Sequence, residues 1–388
     1  MVRFSVHFLL IALLMLVACQ ADQPDAGSSG PEPLPEIAED YDKNPYPWGF
    51  IDSTGRMVIS GQYDEVRGFS DGLALVRTKG RWGYIDQRGK IAIAARYRAA
   101  WPFVNGRARA QTDEGKFGYI DQEGKWLIEA KFAELSEFAE GLAAFRQEEF
   151  YGYLDTAGQV VIEPQYRKAS PFQNGQSVVA KGDKYGIIDQ QGNELIPFEH
   201  ERLKPFIGTL ARARKQGIYG YLNSAGEFTI EPAFRQATDF VSGVAAVAEE
   251  STWGLINEAG EWILEPLYDQ LFHAGEERWI GALGRQYYLL DKAGTRISNH
   301  PYQEIQPFSE GYAAYQQDEL WGYLQPDGSS MATPQYYLAW PFKNGLARVA
   351  THYGLTFVNT SGRPLFQARR EFFELRDFSE GLAPAEIQ

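Results

Sequence analysis

The side chains that could support metal or acid–base chemistry in this 388-residue chain are few and scattered. Of five histidines, His7 lies in the N-terminal apolar segment, and the others follow no common spacing: His200, His273, His300 and His352. His200-Glu201 begins like the helix of a zinc protease, but Lys204 stands where that motif needs its second histidine. A single cysteine excludes a disulfide framework and a multi-thiolate metal site. We therefore expect no metal and no cofactor.

Carboxylates recur along the chain, and a pair of carboxylates is the machinery of a glycosidase. Six aspartates share one position of a repeating pattern: Asp52, Asp86, Asp121, Asp155, Asp189 and Asp291. An active site needs one special constellation, whereas a residue that is present in most repeats serves the repeat itself. We interpret these aspartates as turn residues and predict no catalytic residue among them.

Four glutamates carry the alternative hypothesis, an envelope enzyme that acts on cell-wall polysaccharide or peptidoglycan through its carboxylates. They lie near the second strand of their repeats: Glu129, Glu163, Glu231 and Glu265. These glutamates also share one position in the repeat, which weakens the enzymatic interpretation for the same reason.

Four tryptophans are candidate ligand-binding residues, because each stands at a repeat position where only two of the ten repeats carry tryptophan. Trp101 and Trp340 share one position, each followed by Pro-Phe, and Trp126 and Trp262 share a second. Indole rings can form platforms for sugar rings or peptide side chains. The alternative role is packing between neighbouring repeats, which is what most aromatic residues do in a repeat protein.

The only cysteine, Cys19, follows a segment that is typical of a signal peptide. Residues 1–18 carry one cation, Arg3, and then an apolar run that is too short to span a bilayer. Residues 16–19 (LVAC) are similar to the bacterial lipobox, in which the cysteine is acylated and becomes the first residue of the mature chain. We predict that Cys19 is lipidated and that its acyl chains attach the protein to a membrane.

The residues after the cysteine indicate the location. Gln20 rather than Asp follows Cys19, which resembles the pattern of Gram-negative lipoproteins sorted to the outer membrane. Residues 19–47 are rich in Pro, Gly, Ser and acidic residues, as expected of an extended, disordered tether. The net charge of −14 argues against binding nucleic acid or anionic head groups through bulk charge. We expect a lipid-anchored protein of the bacterial cell envelope, in the outer membrane if the host is Gram-negative.

The rest of the chain, residues 48–388, consists of ten repeats of about 34 residues. The repeats begin at Trp48, Trp82, Phe117, Tyr151, Tyr185, Tyr219, Trp253, Tyr287, Trp321 and Leu355. The chain therefore divides into a signal peptide (1–18), a lipidated tether (19–47) and a repeat domain (48–388).

The repeat predicts strands rather than helices. Each repeat carries two or three glycines and often a proline, which cost roughly 1 and 3 kcal/mol each inside a helix. Residues 82–86 (WGYID) read as a short strand, followed by an Asp-x-x-Gly turn in which Asp accepts backbone amides and Gly takes a positive φ. A second strand and, after a Phe-x-x-Gly turn, a third strand complete the repeat. We predict an all-β tandem array of ten three-stranded units.

These repeats resemble the bacterial WG-repeat proteins, which are named for the Trp-Gly pair that stands here at residues 48–49, 82–83, 253–254 and 321–322. Phe-Gly or Tyr-Gly replaces the pair in four other repeats. The eighth repeat departs with Tyr287-Tyr288, and the last with Leu355-Thr356. The resemblance implies no established catalytic activity, and it implies export or attachment to the cell surface.

Two architectures can stack such units. A β-propeller usually has four to eight blades built from repeats of about 40 residues or more. Ten units of about 34 residues exceed that number and fall short of that size, so we favour an open superhelical stack over a closed propeller-like ring. Such an array predicts a non-enzymatic scaffold of the bacterial envelope, which binds a protein or a glycan through its stacked β surface.

Overall fold

The computed structural model describes residues 46–298 and 300–388. Every regular element within these residues is a β-strand, and the strands form ten small antiparallel sheets. The predicted all-β tandem array is therefore confirmed. The predicted signal peptide, Cys19 and most of the predicted tether lie outside the described residues.

We call each sheet a blade and number the blades I to X. The strands from β1 to β18 are β1 (Trp48–Ile51), β2 (Met57–Tyr63), β3 (Glu65–Ser70), β4 (Leu73–Thr78), β5 (Arg81–Asp86), β6 (Ile91–Tyr97), β7 (Ala99–Ala100), β8 (Ala108–Gln111), β9 (Phe117–Ile120), β10 (Trp126–Phe132), β11 (Glu134–Leu135), β12 (Leu142–Gln147), β13 (Phe150–Asp155), β14 (Val160–Tyr166), β15 (Lys168–Ala169), β16 (Gln176–Lys181), β17 (Lys184–Asp189) and β18 (Glu194–His200). The remaining strands are β19 (Arg202–Leu203), β20 (Ala211–Lys215), β21 (Ile218–Leu222), β22 (Phe228–Phe234), β23 (Gln236–Ala237), β24 (Val244–Ala248), β25 (Trp253–Asn257), β26 (Trp262–Tyr268), β27 (Gln270–Gly275), β28 (Arg278–Leu283), β29 (Gln286–Leu290), β30 (Glu304–Ile305), β31 (Ala313–Gln317), β32 (Leu320–Leu324), β33 (Ser330–Tyr336), β34 (Leu338–Ala339), β35 (Leu346–Thr351), β36 (Gly354–Asn359), β37 (Phe372–Leu375) and β38 (Ala383–Ile387).

The blades follow one another along the chain, except that blade I joins its two ends. Blade I comprises β37, β38, β1 and β2, and blades II to VII are β3–β6, β7–β10, β11–β14, β15–β18, β19–β22 and β23–β26. Blades VIII, IX and X are β27–β29, β30–β33 and β34–β36. Within a blade we call the successive strands A, B, C and D.

Eight blades have four strands rather than the three predicted for each unit. The additional strand is strand A, which in six of these eight blades is only two residues long, as in Ala99–Ala100. A two-residue strand has no alternation of polar and apolar side chains, so the sequence pattern does not reveal it. The Trp-Gly segment forms strand C, so each sequence repeat supplies strands C and D of one blade and strands A and B of the next.

The ring is closed by pairing between the two ends of the repeat domain. Strand β1 pairs with β38 in antiparallel register, from Trp48 opposite Glu386 to Ile51 opposite Ala383. Of the two arrangements considered above, the favoured open stack is therefore wrong, and the alternative, a closed propeller-like ring, is correct. The repeat length predicts a unit that is too short for a propeller blade. A four-stranded blade nevertheless fits into about 34 residues because its strand A is very short.

The apolar cores lie between neighbouring blades, which explains why no blade can stand alone. One cluster joins Trp82 and Tyr84 of blade II to Phe103 and Ile120 of blade III. The rings of Tyr84 and Phe103 meet edge to face with centroids 4.8 Å apart. The Tyr84 hydroxyl also donates a hydrogen bond of 2.7 Å to the Trp101 carbonyl of the next blade. Each blade thus buries its faces only when both neighbours are present.

The glycine of the Trp-Gly pair is required because the backbone of strand D crosses over it. In blade II the pairing passes from Trp82 opposite Tyr97 to Tyr84 opposite Ile93, so strand D bulges next to Gly83. A Cβ atom on Gly83 would lie 2.6 Å from the Ile93 carbonyl oxygen and 2.6 Å from the Ala95 amide nitrogen. Any side chain at this position would therefore push strand D away.

The two blades that lack this glycine are also the two that have only three strands. Tyr288 replaces the glycine in blade VIII and Thr356 replaces it in blade X. Strand D is reduced there to isolated bridges, which pair Leu290 with Arg296 in blade VIII and Val358 with Pro364 in blade X. The departures from the sequence pattern in the eighth and tenth repeats thus mark places where the outer strand is interrupted.

The antiparallel order gives the ring two different faces. The turns between strands A and B and between C and D lie on one face, which we call the AB/CD face. The turns between B and C and the connections from D to the next A lie on the other, the BC/DA face. Since β1 is a C strand and β38 is a B strand, Tyr46 and Gln388 both lie on the BC/DA face.

Candidate functional site

The recurring aspartates lie in the turn between strands C and D, as the sequence predicts. In blade II the Asp86 carboxylate accepts hydrogen bonds of 2.9 Å from the backbone amides of Arg88 and Lys90. The Gly89 amide bonds the Asp86 carbonyl, and Gly89 has a φ of 79°. A hydrogen bond from the Thr54 hydroxyl lowers the pKa of the equivalent Asp52 to about 2. These carboxylates accept hydrogen bonds within their own turns.

The four glutamates of the alternative hypothesis lie apart from one another. Each stands in an outer strand D, in β10, β14, β22 and β26, and therefore in a different blade. All four side chains are exposed: Glu129, Glu163, Glu231 and Glu265. A carboxylate pair for glycoside hydrolysis needs two groups about 5–10 Å apart across one substrate bond. The fold places these four side chains on separate blades.

Trp101 lies between strands A and B of blade III, where it is partly buried. The Arg109 guanidinium stacks on its indole with 4.0 Å between the guanidinium carbon and the ring centroid. The Phe117 ring packs against it at a centroid distance of 5.8 Å. One part of the indole therefore serves packing, and the remainder stays accessible.

Trp340 occupies the same place in blade X, with the Arg348 guanidinium 4.9 Å from its ring centroid. Trp126 and Trp262 lie instead at the start of strand D in blades III and VII. Each contacts the last aromatic residue of the preceding strand D, Tyr97 at 5.9 Å and Phe234 at 6.1 Å. The structure keeps the two pairs in different strands and does not bring the four indoles into one site.

Three arginines form a cross-blade contact that the sequence analysis missed. Arg109 of strand B in blade III is 5% exposed and donates a 2.5 Å hydrogen bond to the Leu135 carbonyl of blade IV. Its Nε lies 3.2 Å from a Glu137 carboxylate oxygen of that blade. Burial lowers the pKa of Arg109 below its ordinary value, and the nearby carboxylate of Glu137 opposes that shift. A buried cation thus receives its counter-ion from the next blade.

The same contact joins blades VI and VII and closes the ring between blades X and I. Arg212 lies 3.0 Å from Asp239 and bonds the Ala237 carbonyl. Arg348 lies 3.1 Å from Asp377 and bonds the Leu375 carbonyl. We call these three contacts the arginine fasteners.

The sequence contains a signal for the fasteners, but it spans two repeats. At five other junctions an apolar residue takes the place of the arginine and proline takes the place of the acid. These pairs are Leu75 with Pro102, Ala144 with Pro171, Val178 with Pro205, Ile280 with Pro307, and Ala314 with Pro341. At these eight junctions an arginine is thus followed by an acid in the next blade, and an aliphatic residue by a proline. At the other two junctions Ala246 is followed by His273, and Pro384 by Gly68.

Carboxylates also connect neighbouring turns on the AB/CD face. Glu140 of blade IV accepts hydrogen bonds of 2.7 Å from the backbone amides of Asn174 and Gly175 in blade V. Glu310 makes the same contact with the turn of blade X. Asp71 and Glu380 bond the next turn at Gly106 and Gly72. These acids therefore hold successive blades together.

Among residues 46–298 and 300–388, no group of three or more His, Cys, Asp and Glu side chains is arranged to hold a metal ion. The same residues contain no α-helix that could span a membrane. His200 is 1% exposed at the end of strand D in blade V, where neither ring nitrogen has a hydrogen-bond partner. Burial lowers the pKa of its imidazole.

Comparison with known proteins gives one family. The family model described as WG containing repeat matches nine segments, at residues 48–82, 82–116, 117–149, 151–185, 185–217, 219–251, 253–276, 290–321 and 321–351. No curated protein matches the sequence.

Several solved structures are similar at low identity. The computationally designed Ika8 protein is 13% identical over 68% of this chain and 93% of its own, with a TM-score of 0.38. A eukaryotic initiation factor is 10% identical over 82% of this chain and 95% of its own, with a TM-score of 0.44. BamB from Moraxella catarrhalis is 10% identical over 84% of this chain and 97% of its own, with a TM-score of 0.36.

Proposed function

This chain belongs to the WG containing repeat family, and on that premise we propose that it is a non-enzymatic, lipid-anchored scaffold of the bacterial envelope. Its acyl chains on Cys19 would hold it at a membrane, and its ring would bind a protein or a glycan. The repeated β scaffold itself follows from the family and the fold. The anchor, the partner and the absence of catalysis are the proposed part.

One observation carries the proposal: the recurring acids accept hydrogen bonds inside the scaffold. The Asp86 carboxylate caps its own turn, and Glu140 bonds the backbone of the next blade. The buried arginine Arg109 is paired across a blade junction. Side chains that serve as acids, bases or anion ligands in enzymes thus have structural roles in these blades, which supports a binding surface over an active site.

The position of the tether selects the face that would meet a partner. The described chain begins at Tyr46 on the BC/DA face. An anchor at Cys19 would therefore hold the BC/DA face toward the membrane. The AB/CD face would point away from it and carry twenty turns within one ring, which is the broad and repetitive surface that repeat proteins use for binding.

The anchor is tested by mass spectrometry of the protein purified from a bacterial envelope. We expect the N-terminal peptide to begin at Cys19 and to carry the mass of acyl chains. A Cys19→Ser variant should keep its signal peptide and lose that mass. An N-terminus at any other residue, or an unmodified Cys19, would refute the anchor.

The binding face is tested by crosslinking in living cells. A photo-crosslinking amino acid replaces Ala157 or Ala225, both exposed in CD turns, and the controls replace Glu149 or Glu249, both exposed in BC turns. We expect one shared crosslinked partner from the first two positions and none from the controls. Equal crosslinking from both faces would contradict the proposed orientation.

The enzymatic alternative is tested by incubating the full-length protein with purified peptidoglycan. We expect no soluble product. If product appears and a Glu163→Ala variant abolishes it while the ring stays folded, the scaffold proposal is overturned. The matched control is Glu149→Ala, which removes an exposed carboxylate on the BC/DA face.

A further inference from the structure

One corner of the BC/DA face carries an unusual group of exposed aromatic side chains. Tyr337 is 51% exposed, Tyr353 is 70% exposed and Phe373 is 37% exposed. Tyr337 precedes strand A of blade X, Tyr353 lies in the BC turn of the same blade, and Phe373 lies in strand A of blade I. We call these three residues, together with Tyr46, the aromatic corner.

Two groups of contacts lie within the corner and beside it. The rings of Tyr46 and Phe373 stack with centroids 4.9 Å apart and an interplanar angle of 16°. His352 meets the Tyr353 ring edge to face at 5.4 Å, and its carbonyl accepts a 3.2 Å hydrogen bond from Arg370. Arg370 is three residues before Phe373. Arg370 thus connects the BC turn of blade X, which carries Tyr353, to the segment that leads into Phe373, and Phe373 stacks on Tyr46.

The charge of the corner differs from that of the whole chain. The protein carries −14 overall, but the corner presents two adjacent arginines, Arg369 and Arg370, both exposed. Glu371 pairs with Arg369 at 3.1 Å and compensates one of them. An aromatic surface with an exposed arginine, Arg370, at its edge matches the composition of protein segments that lie at a membrane–water interface.

The segment that leads from Cys19 into the ring arrives at the aromatic corner. Tyr46 is itself part of the corner, and about 26 residues separate it from Cys19. We propose that the aromatic corner rests on the lipid surface in which the acylated Cys19 is anchored. This inference rests on the proposed lipid anchor and extends it, because it gives the ring a fixed orientation at the membrane.

The length of the predicted tether makes a weak contact sufficient. A chain of about 26 residues spans at most roughly 90 Å even when it is fully extended, so the corner stays within reach of the bilayer once Cys19 is inserted. The tyrosines then place their amphipathic rings at the level of the head groups. The apolar ring of Phe373 inserts at the boundary between head groups and acyl chains. The AB/CD face, on the far side of the ring, remains in water.

The single cysteine makes this orientation measurable. Acylation consumes the thiol of Cys19, so a His352→Cys variant has one reactive thiol, next to Tyr353. The full-length lipidated protein is spin-labelled there and reconstituted into vesicles of phosphatidylethanolamine and phosphatidylglycerol. Electron paramagnetic resonance then compares collisions of the label with oxygen, which partitions into lipid, and with a water-soluble nickel complex. Ala157→Cys on the AB/CD face is the matched control.

We expect several-fold fewer nickel collisions and more oxygen collisions at position 352 than at position 157. Replacing Tyr337, Tyr353 and Phe373 together by serine should raise the nickel accessibility at 352 to the control value. If label 352 is as open to nickel as label 157 while Cys19 is acylated, the corner does not contact lipid and only this inference fails. Protection that survives the triple change also overturns it. An unmodified Cys19 in the mass spectrum refutes the anchor, and this inference with it.

Discussion

Replacing Gly83 by alanine tests why the Trp-Gly pair exists. The new Cβ atom would stand 2.6 Å from the Ile93 carbonyl oxygen and 2.6 Å from the Ala95 amide. Both atoms belong to the backbone of β6, so no side-chain rotation can relieve the overlap. The outer strand of blade II has to shift or detach, as the outer strands of blades VIII and X already show.

The magnitude follows from what β6 buries. Ile93 and Tyr97 are each 3% exposed, and full burial of an apolar side chain contributes about 1.5–3 kcal/mol. Complete loss of the strand would therefore cost about 3–6 kcal/mol, whereas a shifted, overpacked strand costs about 1–3 kcal/mol. We expect the smaller value, because the strand will take the cheaper response.

The assay is hydrogen exchange with mass spectrometry on peptides that cover residues 91–97, combined with urea unfolding. Gly68→Ala is the matched control in the same blade, because its Cβ would meet only the Ser379 side chain. We expect faster hydrogen exchange in β6 for Gly83→Ala. The control should exchange at the rate of the unmodified protein. If Gly83→Ala leaves exchange in β6 and the urea midpoint unchanged, the steric explanation of the Trp-Gly pair is wrong.

Three further variants test other contacts. Arg212→Val should lower the free energy of unfolding in urea by about 1–3 kcal/mol, because Asp239 loses its partner. Adding Asp239→Pro should restore much of that loss. If the double variant is no more stable than Arg212→Val, the role of the arginine fasteners is refuted. His200→Phe should flatten the pH dependence of stability: burial lowers the pKa of His200, so its contribution is complete above about pH 6.5 and falls by up to about 1.4 kcal/mol per pH unit below that. Equal urea midpoint shifts between pH 7 and pH 5 in both proteins would contradict this. Asp86→Ala should cost about 1 kcal/mol through its lost turn hydrogen bonds, while Asp86→Asn should cost little, since Asn223 makes the same bonds; equal unfolding midpoints for the two variants would exclude this role.

The features repeated in every unit were predictable, because ten copies of one signal reinforce each other. The Asp86 turn and the positive φ of Gly89 both follow from an Asp-x-x-Gly pattern. The apolar position represented by Ile85 is fully buried, as expected of a strand core. Local chemistry determines these features, so a single sequence is sufficient to find them.

Other features depend on how distant segments meet, and the sequence does not contain that arrangement in a local form. Ala99–Ala100 forms a strand only because β8 pairs with it. Glu137 can be recognised as the partner of Arg109 only when the alignment of neighbouring blades is known. Closure of the ring depends on the sum of the rotations from each blade to the next. The same repeats could also form an open stack, so the repeat pattern does not distinguish the two. The partner and the anchor likewise remain predictions, since the described residues do not include Cys19.

Closure of the ring in blade I depends on the pairing of the first described strand with the last. Strand β1 is synthesised before the other described strands, and it can pair with β38 only after β38 has been made. A product that stops before Ala383 leaves β1 with an unpaired edge and an uncovered Trp48, the kind of surface that promotes aggregation. Pairing between the ends of a chain is also the slowest kind of contact to form. The ring can therefore close only after β38 has been made, and a chain that stops before β38 retains an exposed strand edge.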